Sequence, residues 1–241
     1  MALIHHYIPC ERIADGVAGF YDICWDLFHV SSGTDPFISG SADLNNTHDL
    51  PVEYQELQWV SSSGTQYLDC GYLPLETTIV RCTFEVINPI GTAYNALYGA
   101  NATAGTIPCI GGLIRPSQAT YNVLYQYGNT TTGNYTVNLS GKHTLEQHMN
   151  INMYDGVTLG TYAESTFTIP YVMYAFAKND HGEGPTSFSA IKMYELMIAE
   201  DDIPPAPTPT LKLYYNGQAV SDLVYNGQQV DHLVYNGFPV E

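Results

Sequence analysis

Thr77 to Ile87 reads TTIVRCTFEVI. Apolar and polar residues alternate along it, the period of a strand whose two faces meet different surroundings. The same alternation recurs in YNVLYQYGN (Tyr121 to Asn129), GNYTVNLSGKH (Gly133 to His143) and FSAIKMYELMI (Phe188 to Ile198). YDG (Tyr154 to Gly156) and YGN (Tyr127 to Asn129) have the composition of hairpin turns. From about Val52 to Glu200 no stretch holds a helical period for three turns. Many short strands at this spacing predict an all-β, antiparallel jelly-roll sandwich.

Composition agrees. Hydrophobic residues are 45% of the 241, enough for a core, while charged residues are only 13%. Tyr (20), Gly (21), Asn and Thr fill the gap, the palette of a polar β-protein surface. With 24 acidic residues against 7 Lys+Arg, the net charge of −17 argues strongly against a phosphate-backbone partner and disfavours anionic lipid. The plainer role of the acidity is solubility. Cys10, Cys24, Cys70, Cys82 and Cys109 are odd in number and unclustered, so they predict buried free thiols rather than disulfides or a zinc site. No signal-peptide pattern and no run of transmembrane length is visible. The Asn-x-Ser/Thr triplets at Asn45, Asn101, Asn129, Asn134 and Asn138 are read as unmodified.

Outside the alternating block the chain changes character. Residues 1–40 are aromatic and glycine-rich, and 41–52 read as a polar linker. Residues 53–200 form the main block, and 201–210, with four prolines, read as an extended spacer. Residues 211–241 repeat: LYYNGQAVSD, LVYNGQQVDH, LVYNGFPVE. Tyr215-Asn216-Gly217, Tyr225-Asn226-Gly227 and Tyr235-Asn236-Gly237 are spaced by ten, and Asn-Gly is the strongest short hairpin signal. The repeat therefore predicts a β-meander of strands too short to stand alone in water. It needs a partner, which is other copies, a larger assembly or its own sandwich; with the first two favoured, these nine residues are the candidate assembly contacts.

The stretch ELQWVSSSGTQYLDCGYLPLETTIVRCTFEVI (Glu56 to Ile87) resembles the concanavalin A-like, laminin-G-like jelly-roll domains found in tail and adhesion proteins of phages and gut bacteria. Leu57, Ser62 to Tyr67, Asp69, Gly71, Tyr72 and Pro74 match their opening, EYIxSSGTQYIDTGxxP, and Cys70 stands where a small polar residue is usual. GKHTLEQHMNINMYDGVTLGTY, YVMYAFAKND and SAIKMYELMI resemble the later hairpin and last core strands. In these domains a segment like LVRDFIPCRRxSDGVxGLYD follows the last strand. Here its counterpart, LIHHYIPCERIADGVAGFYD and onward to Gly40, comes first. The resemblance thus implies a circularly permuted sandwich. The alternatives are a strand swap between copies, or a chain cut from a tandem-domain protein.

The same fold group includes glycoside hydrolases, so paired carboxylates matter. Glu53, Glu56, Glu85, Glu164, Glu195 and Glu200 to Asp202 lack their Glu-x-Asp-x-x-Glu spacing, and no enzyme is expected. The histidines show no HExxH-type arrangement, and no metal site is expected from them. NDHGEG (Asn179 to Gly184) is acidic and Gly-rich enough to allow calcium but lacks a dense alternate-carboxylate pattern. No other cofactor is expected. Sugar binding has candidates in Tyr94, Asn95, Tyr98, Tyr121 and Tyr125, with Trp25 and Trp59 of the same palette. For each ring, sandwich core is the competing reading. The expected role is a non-enzymatic phage virion protein, displayed on the particle surface after cytoplasmic synthesis. It would contact other copies, other virion proteins and a host surface glycan. A purely architectural decoration protein and a glycan depolymerase subunit are the alternatives.

Overall fold

In the strand Thr78–Val86, Val80, Cys82 and Phe84 are fully buried while Arg81 between them is exposed. That alternation is what one inward and one outward sheet face require. The computed structural model describes residues 2–44, 48–87, 94–103, 108–117 and 120–201. It also describes six short tail strands, with backbone alone there and at 116–117, 120–121 and 130–134. No helix occurs among the described residues, and two β-sheets form a sandwich.

The larger sheet runs Val157–Thr161, Ile151–Tyr154, Lys142–His148, Thr78–Val86, Ile191–Glu200, Ala2–Arg12, Val17–Asp22, Leu27–His29. The smaller runs Thr130–Val137, Thr120–Gly128, Cys109–Ser117, Asn95–Asn101, Tyr174–Ala175, Leu68–Asp69. Phe84, Leu145, Leu196 and Ile198 of the first sheet share one core with Leu97, Tyr98, Ile110 and Tyr125 of the second. The prediction of an all-β sandwich holds.

Residues 2–39 belong to this sandwich. Ala2–Arg12 pairs antiparallel with Ile191–Glu200 on one side and with Val17–Asp22 on the other. Tyr7 is fully buried and its hydroxyl donates to the Cys70 carbonyl at 2.8 Å, while Phe20 and Phe37 pack on Phe176. The segment thus pairs within its own chain, with Ala2–Arg12 an interior strand of the larger sheet.

Several local expectations shift. The stretch expected as one strand from Gly133 to His143 is split between Thr130–Val137 in the smaller sheet and Lys142–His148 in the larger. The chain crosses between layers there, helped by Gly141 at φ +97°. Asp155 and Gly156 both have positive φ, the signature of a tight hairpin turn, as YDG predicts. The polar linker is folded against the body: Asp43 N donates to the Glu56 carbonyl and Gln58 N to the Ser41 carbonyl.

The five cysteines are free, and Cys24 is the exposed one. Burial pushes the Cys10 thiol up to about 12.

Residues 202–241 form a second unit, described by itself. Tyr214–Tyr215 pairs with Gln218–Ala219, Val224–Tyr225 with Gln228–Gln229, and Leu233–Tyr235 with Phe238–Val240. Among the described residues these are three separate two-stranded hairpins, not the continuous meander that the repeat predicts. Tyr215, Tyr225 and Tyr235 end their first strands; Asn216, Gly217, Asn226, Gly227, Asn236 and Gly237 lie outside the described residues.

Candidate functional site

The five residues expected to hold sugar do not form one platform. Tyr98 and Tyr125 are fully buried, and Asn95 is 3% exposed. The Tyr98 hydroxyl donates to Gln147 Oε1 and that of Tyr125 to the Met153 carbonyl. Burial holds both phenols well above their ordinary range. A ring with neither face open cannot stack on a sugar, so these two are core. Tyr94 is exposed, with the Arg115 guanidinium 5.2 Å from its ring centroid. The side chain of Tyr121 lies outside the described residues. Alternation shows which residues share a face, not which face is the core.

Solvent-facing aromatic rings gather elsewhere. Tyr67, Tyr174 and Phe188 are each half-buried, with Tyr67 centred 4.7 Å from Tyr174 and 6.3 Å from Phe188. Tyr67 and Phe188 line a shallow depression of about 460 Å³ with Ser32, Thr34, Thr65 and Pro185. Its floor is fixed by the SSGTQY loop. Gln66, 2% exposed, accepts at Oε1 from Ser62 Oγ and from Ser63 N, and donates from Nε2 to the Pro36 carbonyl. Thr65 Oγ1 donates to Asp35 Oδ2 at 2.8 Å, and Ser32 N to the Tyr67 carbonyl at 2.9 Å. A Cβ on Gly33 would come 2.5 Å from the Thr65 carbonyl oxygen, so only glycine lets the two loops lie this close. The result is a preorganised rim of rings and hydroxyls, the pairing of apolar face and hydrogen-bonding edge that a sugar ring offers.

A second concavity, about 370 Å³, lies against Ile8, Arg81, Thr83, Thr144 and Glu195 of the larger sheet, with Asp43, His48, Glu56 and Gln58 on another side. The chain brings Glu56 and Glu195 together here, which their sequence spacing does not suggest. His6 Nε2 lies 2.7 Å from Glu195 Oε1, and this bond holds the Glu195 carboxyl below its usual range. Glu56 is buried; Oε1 lies 2.8 Å from His48 Nδ1, and Oε2 accepts from His48 N. The His6 and His48 rings meet edge to face at 5.7 Å. Glu56 thus serves to anchor the 41–56 segment. Lys142 and Arg81 also line this pocket, Lys142 with its ammonium 4.3 Å from the Tyr194 ring centroid.

The remaining acidic candidates are dispersed. Glu85 is taken by Tyr194 Oη at 2.6 Å and Lys192 Nζ at 3.1 Å, and Glu200 accepts from Tyr72 Oη. In the loop considered for calcium, Asp180 accepts from Asn101 Nδ2, and the His181 ring sits between Asp180 and Glu183. Among the described residues no group of three or more His, Cys, Asp or Glu side chains is placed to hold a metal ion.

No family model matches the chain, and no curated protein matches it. Solved structures do. A Trypanosoma rangeli sialidase is similar over 82% of this chain at 14% identity, with a TM-score of 0.44. An alginate lyase of polysaccharide lyase family 7 is similar over 81% at 10% identity, with a TM-score of 0.41. The match spans 30% of the sialidase chain and 94% of the lyase chain.

Proposed function

We propose that the chain is a non-enzymatic adhesion module of a phage or phage-like particle that binds a surface glycan at the Tyr67–Phe188 depression. The observation that carries the binding reading is the half-open aromatic pair beside the Ser32, Thr34 and Thr65 side chains, on loops pinned by buried Gln66. Rings receive the apolar face of a sugar and hydroxyls its edge. The phage setting rests on the resemblance of residues 3–40 and about 53–200 to tail and adhesion domains. The repeat tail would gather copies, and several modest sites engaged together gain roughly 10²–10⁴ in avidity.

A depolymerase reading has one observation in its favour, the meeting of Glu56 and Glu195 in the second pocket. Against it, Glu56 spends both oxygens on His48. Glycan-array screening followed by calorimetric titration tests the binding reading. Tyr67→Ala and Phe188→Ala should each weaken the selected glycan by roughly ten-fold, about 1.4 kcal/mol. Unchanged binding in both variants would reject the site, and shortening of the glycan by the protein alone would reject the non-enzymatic role.

A further inference from the structure

We propose that Lys178 and Asn101 react with each other to form an amide cross-link between the strands Lys178–Asp180 and Asn95–Asn101. Those strands run side by side in parallel, with Asn179 opposite Ala100 and Asp180 opposite Asn101. Tyr98 and Ala100 belong to the core, so Gly99 and Asn101 lie on the other face, with Lys178 beside Gly99. A Cβ on Gly99 would stand 3.1 Å from Lys178 Cγ, so the lysine stem passes over the space that glycine leaves free. A diagonal neighbour in a sheet is about 7–8 Å away, within the combined reach of Lys and Asn side chains.

The groups have the chemistry for it. Lys178 is 8% exposed, and among the described residues no carboxylate lies within ion-pair distance of its ammonium. Burial lowers its pKa, which favours the free amine. Asn101 is fully buried, its Oδ1 has no hydrogen-bond partner, and its Nδ2 donates to Asp180 Oδ1 at 3.1 Å.

The step balances without any co-reactant. The lone pair of neutral Lys178 Nζ adds to Asn101 Cγ. Turning the Lys178 stem toward Asn101 brings Nζ to the Asp180 carboxylate that already accepts from Nδ2; the carboxylate then carries a proton from Nζ to Nδ2, the Cγ–Nδ2 bond breaks, and one ammonia leaves as the Nζ–Cγ amide closes. A chain whose cysteines are all free would gain a covalent tie across its smaller sheet.

High-resolution intact mass and peptide mapping of the full chain test this. The expected result is a mass lower by one ammonia, together with a branched tryptic peptide joining Lys178 to Asn101. Asn-Gly sequences also lose ammonia by closing on their own backbone, and the tail has three. Lys178→Arg and Asn101→Ala separate the two sources, since each should abolish the branched peptide. Asp180→Ala should leave most of the protein unlinked. A wild-type protein of full sequence mass, or an ammonia loss that persists in Lys178→Arg with no branched peptide, would overturn the proposal.

Discussion

The body and the tail use the same secondary structure in opposite circumstances. In the body, Ile191–Glu200 is paired along both edges and places Ile191, Met193, Leu196 and Ile198 in the core. In the tail, each hairpin joins strands of two or three residues. Hairpin turns set a register in both regions, but only burial of a face makes a sheet persist in water. The comparison teaches that strong turn signals alone give isolated pairs of short strands, whereas the body adds buried faces that join its strands into two sheets.

The largest effect should follow from deleting residues 2–12, which removes an interior strand of the larger sheet together with buried Tyr7 and Ile8. Circular dichroism should show loss of cooperative unfolding; a deletion that still melts cooperatively would break the contrast. Phe84→Ala comes next, at about 3–5 kcal/mol by denaturant titration, because its ring is fully enclosed. The same loss from Tyr225→Ala would show the tail to be part of the core, but no change in the body's midpoint is expected there.

Asp22 gives a pH test of the pairing inside the N-terminal segment, between Ala2–Arg12 and Val17–Asp22. Burial alone would raise its carboxyl, but His5 Nδ1 at 2.6 Å and the His6 and Cys24 amides outweigh it and hold the group low. A lowered folded pKa contributes stability above the unfolded value, about 3.9, that fades as pH falls through the folded one. The unfolding midpoint of the wild type should therefore fall across that acid window, while Asp22→Asn should start lower and lose less. The smallest effect expected is for Gly156→Ala at φ +76°, about 1 kcal/mol, since its Cβ would meet nothing and only backbone strain is added.

The sandwich was legible because alternation survives along single strands such as Thr78–Val86. The strand break at residues 138–141 was not, since a crossing between layers leaves the alternation on both sides intact. Nor was the aromatic rim of the depression. Tyr67, Tyr174 and Phe188 come from distant parts of the chain and meet only when Leu68–Asp69 and Tyr174–Ala175 pair. Glu56 and Glu195 are likewise joined by sheet order, through Ala2–Arg12, which pairs with both their strands. The SSGTQY motif was visible as a resemblance, but its role in pinning loops through Gln66 needed coordinates.

Light scattering of the full chain and of a chain ending at Ile203 tests the division most directly. The account predicts an oligomer for the full chain and a folded monomer for the shortened one, with an unchanged unfolding midpoint. An oligomer that survives the truncation would place assembly in the body and contradict it.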